Sequence, residues 1–319
     1  MEQVIEKWPG KVGEVTIGAT SQQGGTRSHT VKVGGALTLP FLHFEGRMTN
    51  HPAVAMEVCD IEPAEWPDVL KKPFSGVIND PVKWAKKCVE QYKMDFLCLR
   101  LSSTDPDGVN ASPEQAAKTV KAVLNAVSVP LIIIGSGNAE KDAEIAPMCS
   151  EAAKGENCLM GIAVQANYKT IVAACQSGGH CIIAESPIDI NLAKQLNILI
   201  TDTGFPEGKI VMHHSTGALG YGLEYTYSIM ERSRLAALQG DRMMSMPVIN
   251  FIGQEAWRAK EAKTGDDEAP AAWGPVEKRG PLWELLTATG YLQAGSDILV
   301  MRHPEAAAHI KETILKLME

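Results

Sequence analysis

Positive charge is scarce in this sequence: 30 lysines and arginines stand against 38 aspartates and glutamates, a net charge of −8. A nucleic-acid partner, which needs a basic face, is therefore not expected. No apolar run approaches the ~18 residues of a membrane helix, so no membrane association is expected either. The N-terminal stretch MEQVIEKWPGK is acidic and lacks a secretory apolar region. No C-x-x-C pair occurs, and the seven cysteines are odd in number and scattered. That usage fits a reducing cytoplasm better than a disulfide framework. A cysteine-held cluster or structural zinc shows tighter local spacing. Cys59, Cys98, Cys158 and Cys181 in apolar runs, with Cys88 and Cys175 in helical segments, therefore read as core residues, and no metal ligand set is expected.

What the chain does have is a repeated strand-then-helix grammar, clearest from Lys209 to Tyr225, KIVMHHSTGALGYGLEY. A short apolar run meets His213 and His214, then a polar turn with Gly217, Gly220 and Gly222. Leu223, Tyr227, Met230 and Leu235 then follow at roughly helical spacing. Glycines permit positive φ and close backbone approach, and a new helix offers free N–H groups.

Seven other apolar runs repeat the pattern: Ala53 to Asp60, Asp95 to Leu101, Pro130 to Ser136, Asn157 to Val164, His180 to Ser186, Met246 to Ile252 and Asp297 to Met301. Helices are expected after Asp80-Pro81, after the capping-box pattern Ser112-Pro113-Glu114-Gln115, from about Glu140, from Tyr168, over Ile188 to Leu199, over Pro281 to Leu292 and from Pro304. Eight near-continuous apolar strands alternating with helices imply a parallel sheet covered on both faces. Their number matches an α/β (β/α)8 TIM barrel, with an open doubly wound sheet as the alternative. Val12 to Gly18 and Ser28 to Gly34 alternate as a hairpin joined by SQQGGTR, read as a lid or plug on one end. Residues 1–52 thus form an N-terminal hairpin and connector, and residues 53–319 the barrel. Gly253 to Gly280, after the seventh strand, reads as a long charged loop with Trp257 and Trp273, functional or solvated.

A barrel places its site at the strand C-termini. The residues there are Ser102, Ser103, Thr104 and Asp105; Ser136 and Asn138; Gln165 and Asn167; Glu185 and Ser186; His213; Thr216 and Gly217; and Asn250. Half of them suffice as helix caps. Together they suggest a rim for a large, neutral, amide-rich molecule, since a sugar phosphate calls for cations and this rim offers almost none beyond Arg100. Adjacent strand residues point to opposite faces, so at most one of His213 and His214 faces the mouth. GALGYG (Gly217 to Gly222) has the wrong spacing for a dinucleotide fingerprint.

The segments GATSQQGGTRSHTVKVGG, TNHPAVAMEVCD, GQEAWRAKEA and SDILVMRHPEA resemble the small subunit of the corrinoid iron–sulfur protein of the acetyl-CoA pathway, and the resemblance covers essentially the whole chain. It implies a TIM barrel paired with a large subunit that carries a [4Fe–4S] cluster and a corrinoid domain, with the cobamide between that domain and this barrel's mouth. It also implies two further partners, a methyl-tetrahydrofolate methyltransferase and CO dehydrogenase/acetyl-CoA synthase. On this reading the chain is a non-catalytic subunit. Its cofactor-contacting residues are Ser102, Thr104, Ser136, Asn138, Gln165, Asn167, Ser186, His213, Thr216 and Gly217. No D-x-H-x-x-G corrinoid motif occurs, so this chain forms at most one wall of the cobamide site.

The rival is a pterin-dependent methyltransferase on the same barrel, and a purely structural scaffold is the third reading. Such methyltransferases typically place carboxylates and an asparagine at central strand ends. Here the comparable turns carry Gly135 and His213, neither of which accepts paired N–H donors from a pterin ring, and only Asn138 fits.

Overall fold

In the computed structural model, which describes residues 5–319, the hairpin is β1 (Glu14–Ile17) and β2 (Val31–Gly34), paired antiparallel. The first four residues of the N-terminal segment lie outside the described residues. The barrel follows as β3 (Ala53–Cys59), α1 (Asp68–Lys71), α2 (Pro81–Glu90), β4 (Leu97–Arg100), α3 (Pro113–Ala126), β5 (Leu131–Ile134) and α4 (Ala139–Ala152). It continues through β6 (Leu159–Ala163), α5 (Tyr168–Gly178), β7 (Cys181–Glu185), α6 (Ile190–Thr201), β8 (Ile210–His213) and α7 (Leu223–Leu238). The last part is β9 (Ile249–Asn250), α8 (Ile252–Ala256), α9 (Lys260–Lys263), α10 (Val276–Ala294), β10 (Ile298–Met301) and α11 (Pro304–Met318).

The eight strands β3 to β10 form one parallel sheet in the order β8-β7-β6-β5-β4-β3-β10-β9. A bridge between Met212 and Val248, with the Met212 N–H donating to Pro247 over 2.8 Å, joins its two edges. This is the closed (β/α)8 barrel expected from the strand count. Local chemistry sets the helix starts. Asp80 accepts from the Val82 and Lys83 N–H groups, and Ser112 with Gln115 closes a reciprocal capping box. Each leaves fewer orphan donors in the first turn.

Side chains alternate with a period of two along each strand. Val54, Met56, Leu97, Leu99, Leu299 and Met301 pack outward under the helices. Ala55, Cys98, Ile132, Ile183, Val211, Ile298 and Val300 fill the barrel interior. The hairpin contributes Val15, Ile17 and Val33 to that same inner cluster. It plugs the end where the strands begin: Gly18 donates to Asn157, two residues before β6. Burying each such apolar side chain stabilises the fold by roughly 1.5–3 kcal/mol. All seven cysteines are buried free thiols, and burial pushes those of Cys149 and Cys181 up to about 12.

The segment after the seventh strand differs in part from expectation. It is a long excursion as expected, but one interrupted by short helical pieces, α8, α9 and a 3₁₀ turn at Ala271–Trp273. The helix expected from Pro281 begins at Val276 and carries Pro281 in its second turn. There it removes the N–H that would have bonded to the Glu277 carbonyl, a loss the helix tolerates within its buried packing.

Candidate functional site

The inner face of each strand continues upward into the mouth. Ala55 is followed on that face by Glu57, Cys98 by Arg100, Val300 by Arg302, Ile183 by Glu185 and Val211 by His213. Glu57 is fully buried, and its two oxygens are shared between neighbouring strands. Arg100 Nη2 donates to Oε2 over 3.1 Å, and Arg302 Nε and Nη2 both lie 2.7 Å from Oε1. Burial by itself pushes the Glu57 carboxyl up. The charges and hydrogen bonds of Arg100 and Arg302 outweigh it and hold the group below the usual range. Gln254 accepts from Arg100 Nη2 at 2.5 Å. Arg302 lies over the Trp66 ring at 4.9 Å, and Arg100 lies 5.8 Å from the Phe251 ring.

Arg100 and Arg302 line a cleft of about 660 Å³ with Ser102, Asp105, Ser136 and Gln254. Glu284 on α10 holds its wall. It accepts from Trp257 Nε1 (2.7 Å) and from the Arg302 and His303 N–H groups (2.5 and 3.0 Å). Desolvation pushes the Glu284 carboxyl up to about 7.

Across the mouth stands a second group. His213 Nδ1 lies 3.2 Å from Glu185 Oε2, and its Nε2 lies 3.0 Å from Thr216 Oγ1. Burial drives the Glu185 carboxyl up, but the His213 contact more than offsets that and lowers it. His214 turns the other way, fully buried, with Nε2 3.0 Å from Ser233 Oγ on α7. Burial lowers its pKa to about 3. Only one of the two histidines therefore faces the mouth. Glu185, Ser186, Gln165 and Ser215 line a smaller cleft of about 420 Å³, and Ser186 Oγ is buried there without a partner.

The ten sequence-derived residues divide by location. Ser102 and Ser136 line the larger cleft, Gln165 and Ser186 the smaller, and His213 joins Thr216. Gly217 exchanges two hydrogen bonds with the Tyr291 hydroxyl, at 2.7 and 2.8 Å. A Cβ there would sit 2.6 Å from the Gly222 carbonyl carbon, so the turn needs glycine. Thr104 turns inward, its hydroxyl donating to the Leu101 carbonyl. Asn167 is buried too: its Oδ1 accepts from Val164 N–H and its Nδ2 donates to Ala139. Asn138 is the exposed cap of α4, accepting from Lys141 N–H.

The expected neutral rim needs correction, because Glu57, Arg100 and Arg302 make the floor of the larger cleft ionic. Arg302 and Glu57 escaped the sequence reading, although each continues an inward-facing alternation and Glu57 is a charge inside an apolar run. Carboxylates also reach the strand ends indirectly. Asp142 accepts from the Ser136 and Gly137 N–H groups (2.9 and 3.1 Å), and desolvation pushes its carboxyl up to about 6. Asp60 accepts from both N–H and hydroxyl of Ser103. Both acids are engaged by the protein's own loops.

No group of three or more His, Cys, Asp or Glu side chains is placed to hold a metal ion among the described residues. Within those residues no helix is long and apolar enough to cross a membrane.

Among solved structures, the chain is similar to dihydropteroate synthase from Xanthomonas albilineans, with TM-score 0.56 and 12% identity over 85% of this chain and 94% of that one. It is also similar to dihydropteroate synthase from Coxiella burnetii, with TM-score 0.57 and 10% identity over 96% and 99%. At such identity the likeness speaks for the barrel fold alone. The sequence is 38% identical to acetyl-CoA decarbonylase/synthase complex subunit delta from Archaeoglobus fulgidus, over 98% of this chain and 69% of that protein. It is likewise 38% identical to the Methanocaldococcus jannaschii subunit delta, over 98% and 75%. Residues 14–309 match the family described as CO dehydrogenase/acetyl-CoA synthase delta subunit. The chain belongs to that family of delta subunits.

Proposed function

We propose that this protein is the small subunit of a heterodimeric corrinoid methyl carrier of the acetyl-CoA pathway, and that its barrel mouth forms one wall of a cobamide site. The large subunit carries the corrinoid domain and the [4Fe–4S] cluster. A separate methyltransferase charges the cobalt from methyl-tetrahydrofolate, and the methyl group passes on to acetyl-CoA synthase. Family membership over residues 14–309 is the observation that carries this reading. The mouth's chemistry fits the cofactor: a corrin ring is edged with carboxamides, which pair with hydroxyl, amide and guanidinium groups. Ser186 Oγ is buried without a partner beside the smaller cleft. Ser102, Ser136 and Gln254 line the larger one. The cofactor supplies the methyl-transfer chemistry when bound, and this chain's groups orient the ring's edge and limit its exposure to water.

The deciding experiment is co-expression with a large subunit, followed by cobalt and ultraviolet–visible analysis of the purified heterodimer. The heterodimer should carry cobamide, and the isolated chain should carry neither cobalt nor iron. Calorimetric titration of the isolated chain with methyl-tetrahydrofolate tests the methyltransferase alternative. Saturable micromolar binding with methyl transfer to free cobalamin would overturn the carrier reading. Asp60 and Asp142 are already engaged by Ser103, Ser136 and Gly137, Glu57 by Arg100 and Arg302, and Glu185 by His213, so silence is expected.

A further inference from the structure

We propose that Arg100 and Arg302 form an oxyanion-binding site on the floor of the larger cleft, taking a phosphate or carboxylate group. The cobamide reading is not needed for it. Three features support it. First, charge does not balance on the floor: two guanidiniums, with side chains only 12% and 8% exposed, share the single fully buried carboxylate of Glu57. Glu284, against the Arg302 backbone, is only partly ionised near neutral pH, so the floor stays net positive in a poorly solvated place, where electrostatic attraction is stronger than in water.

Second, donors are left over. A guanidinium has five N–H donors in a planar fork. Arg302 uses Nε and Nη2 on Glu57, and Arg100 uses Nη2 on Glu57 and Gln254. Among the described residues nothing accepts from Nη1 of either residue, and Arg100 Nε is buried without a partner. Leftover donors alone do not mark a site, since Arg234, buried against Gly295 and Asp297, also leaves Nη1 unpartnered; Arg100 and Arg302 differ in lining an open cleft. At the opposite end of the barrel Arg27 places all five donors, on Glu156, Thr26 and the carbonyls of Leu124, Val127 and Val129.

Third, the pair is rigid before any ligand arrives. Glu57 bridges the two side chains, Trp66 and Phe251 lie against them, and Glu284 fixes the Arg302 backbone. Preorganised forks of this kind suit the planar or tetrahedral oxygens of carboxylate and phosphate. Glu62, Glu65 and Asp105 also line the cleft, opposed by Arg258 and Lys263. These outer charges sum to −1, but they stand at the solvated edge of the cleft, where screening weakens them relative to the buried floor.

The test is calorimetric titration of the full chain with inorganic phosphate and, separately, with glutarate, at ionic strength held constant with chloride. At least one probe should bind saturably at one site per chain. Phosphate alone would mark a phosphoryl ligand, and glutarate alone a carboxylate ligand. Arg302→Lys keeps the charge but loses the fork, and should weaken binding tenfold or more. Lys263→Gln, on the outer wall, should change it less than threefold. Should Arg302→Lys fail to fold, phenylglyoxal labelling of the native chain decides: the bound probe should protect Arg100 and Arg302 at least fivefold, read by peptide mass spectrometry. Non-saturable heat with both probes, equal binding by Arg302→Lys, or absence of protection would overturn the proposal.

Discussion

The two ends of the barrel each bury arginine against glutamate, and they do so to opposite effect. At the end where the strands begin, Arg27 and Glu156 are 2.9 Å apart, and every guanidinium donor of Arg27 meets an acceptor. The hairpin above them adds Val15, Ile17 and Val33 to the inner core. At the mouth, Glu57 is shared by two arginines that retain free donors, Ser186 Oγ has no partner, and His213 Nδ1 has a carboxylate nearby but no aligned hydrogen bond. Unsatisfied buried groups cost stability and occur elsewhere too, as at Arg234 Nη1 beside Asp297; those at the mouth differ in opening onto clefts.

The largest effect should come from Glu57→Ala. Removing the one carboxylate leaves two guanidiniums facing each other in a buried place, at a cost of roughly 3–5 kcal/mol, measured by urea unfolding. A cost under 1 kcal/mol would mean that the arginines relax into solvent and that the floor is not preorganised.

A pH effect of nearly the same size should trace to Glu284. Its folded carboxyl stays protonated up to about pH 7, whereas the unfolded chain releases that proton near the ordinary value of 4.5. The folded state therefore holds more protons between these values, and stability falls as pH rises through that window. His214 and His303, with pKa values lowered by burial to about 3 and about 4, act in the opposite sense. They leave stability to be lost as pH falls below the ordinary histidine value. The Glu284 contribution is therefore read as wild type minus Glu284→Gln. That difference should shrink by about 3 kcal/mol from pH 4.5 to pH 7, at ~1.4 kcal/mol per pKa unit. A flat difference profile would show the carboxyl to be ionised throughout.

At the plugged end, Ile17→Val deletes one fully buried methylene and should cost about 0.5–1.5 kcal/mol, seen as a lower urea midpoint. No change would mean that the hairpin sits on the barrel without close packing. The smallest effect carries the opposite sign. Ser186→Ala removes an unpartnered buried hydroxyl and should raise stability by about 1 kcal/mol, while loosening cobamide in the heterodimer. A loss of stability there would show that the hydroxyl has a structural partner and would weaken the contrast between the two ends.

Much of this architecture was legible in the chain. The eight apolar runs predict eight strands because a parallel sheet covered by helices buries both of its faces. Asp80-Pro81 and Ser112 with Gln115 predict helix starts because their side chains satisfy N–H groups within a few residues of themselves. The hairpin and the opposite facing of His213 and His214 follow from the period of two. These are local relations, and local relations survive in the sequence. The helical content between Gly253 and Gly280 was hidden because α8 and α9 are too short to show a periodicity.

Tertiary structure alone decided the mouth. Glu57 and Arg100 lie on β3 and β4 and Arg302 directly follows β10, which reaches β3 only when the barrel closes, across some 240 residues of chain. The same closure sets Ser102 and Ser136 in one cleft with Gln254, while Thr104 and Asn167, of similar chemistry and position, turn into the fold. The sequence determines which residues stand at the strand ends, because alternation and capping are set by neighbours. Which of them meet, and which keep a donor free, depends on strand register and on acceptors far away in the chain.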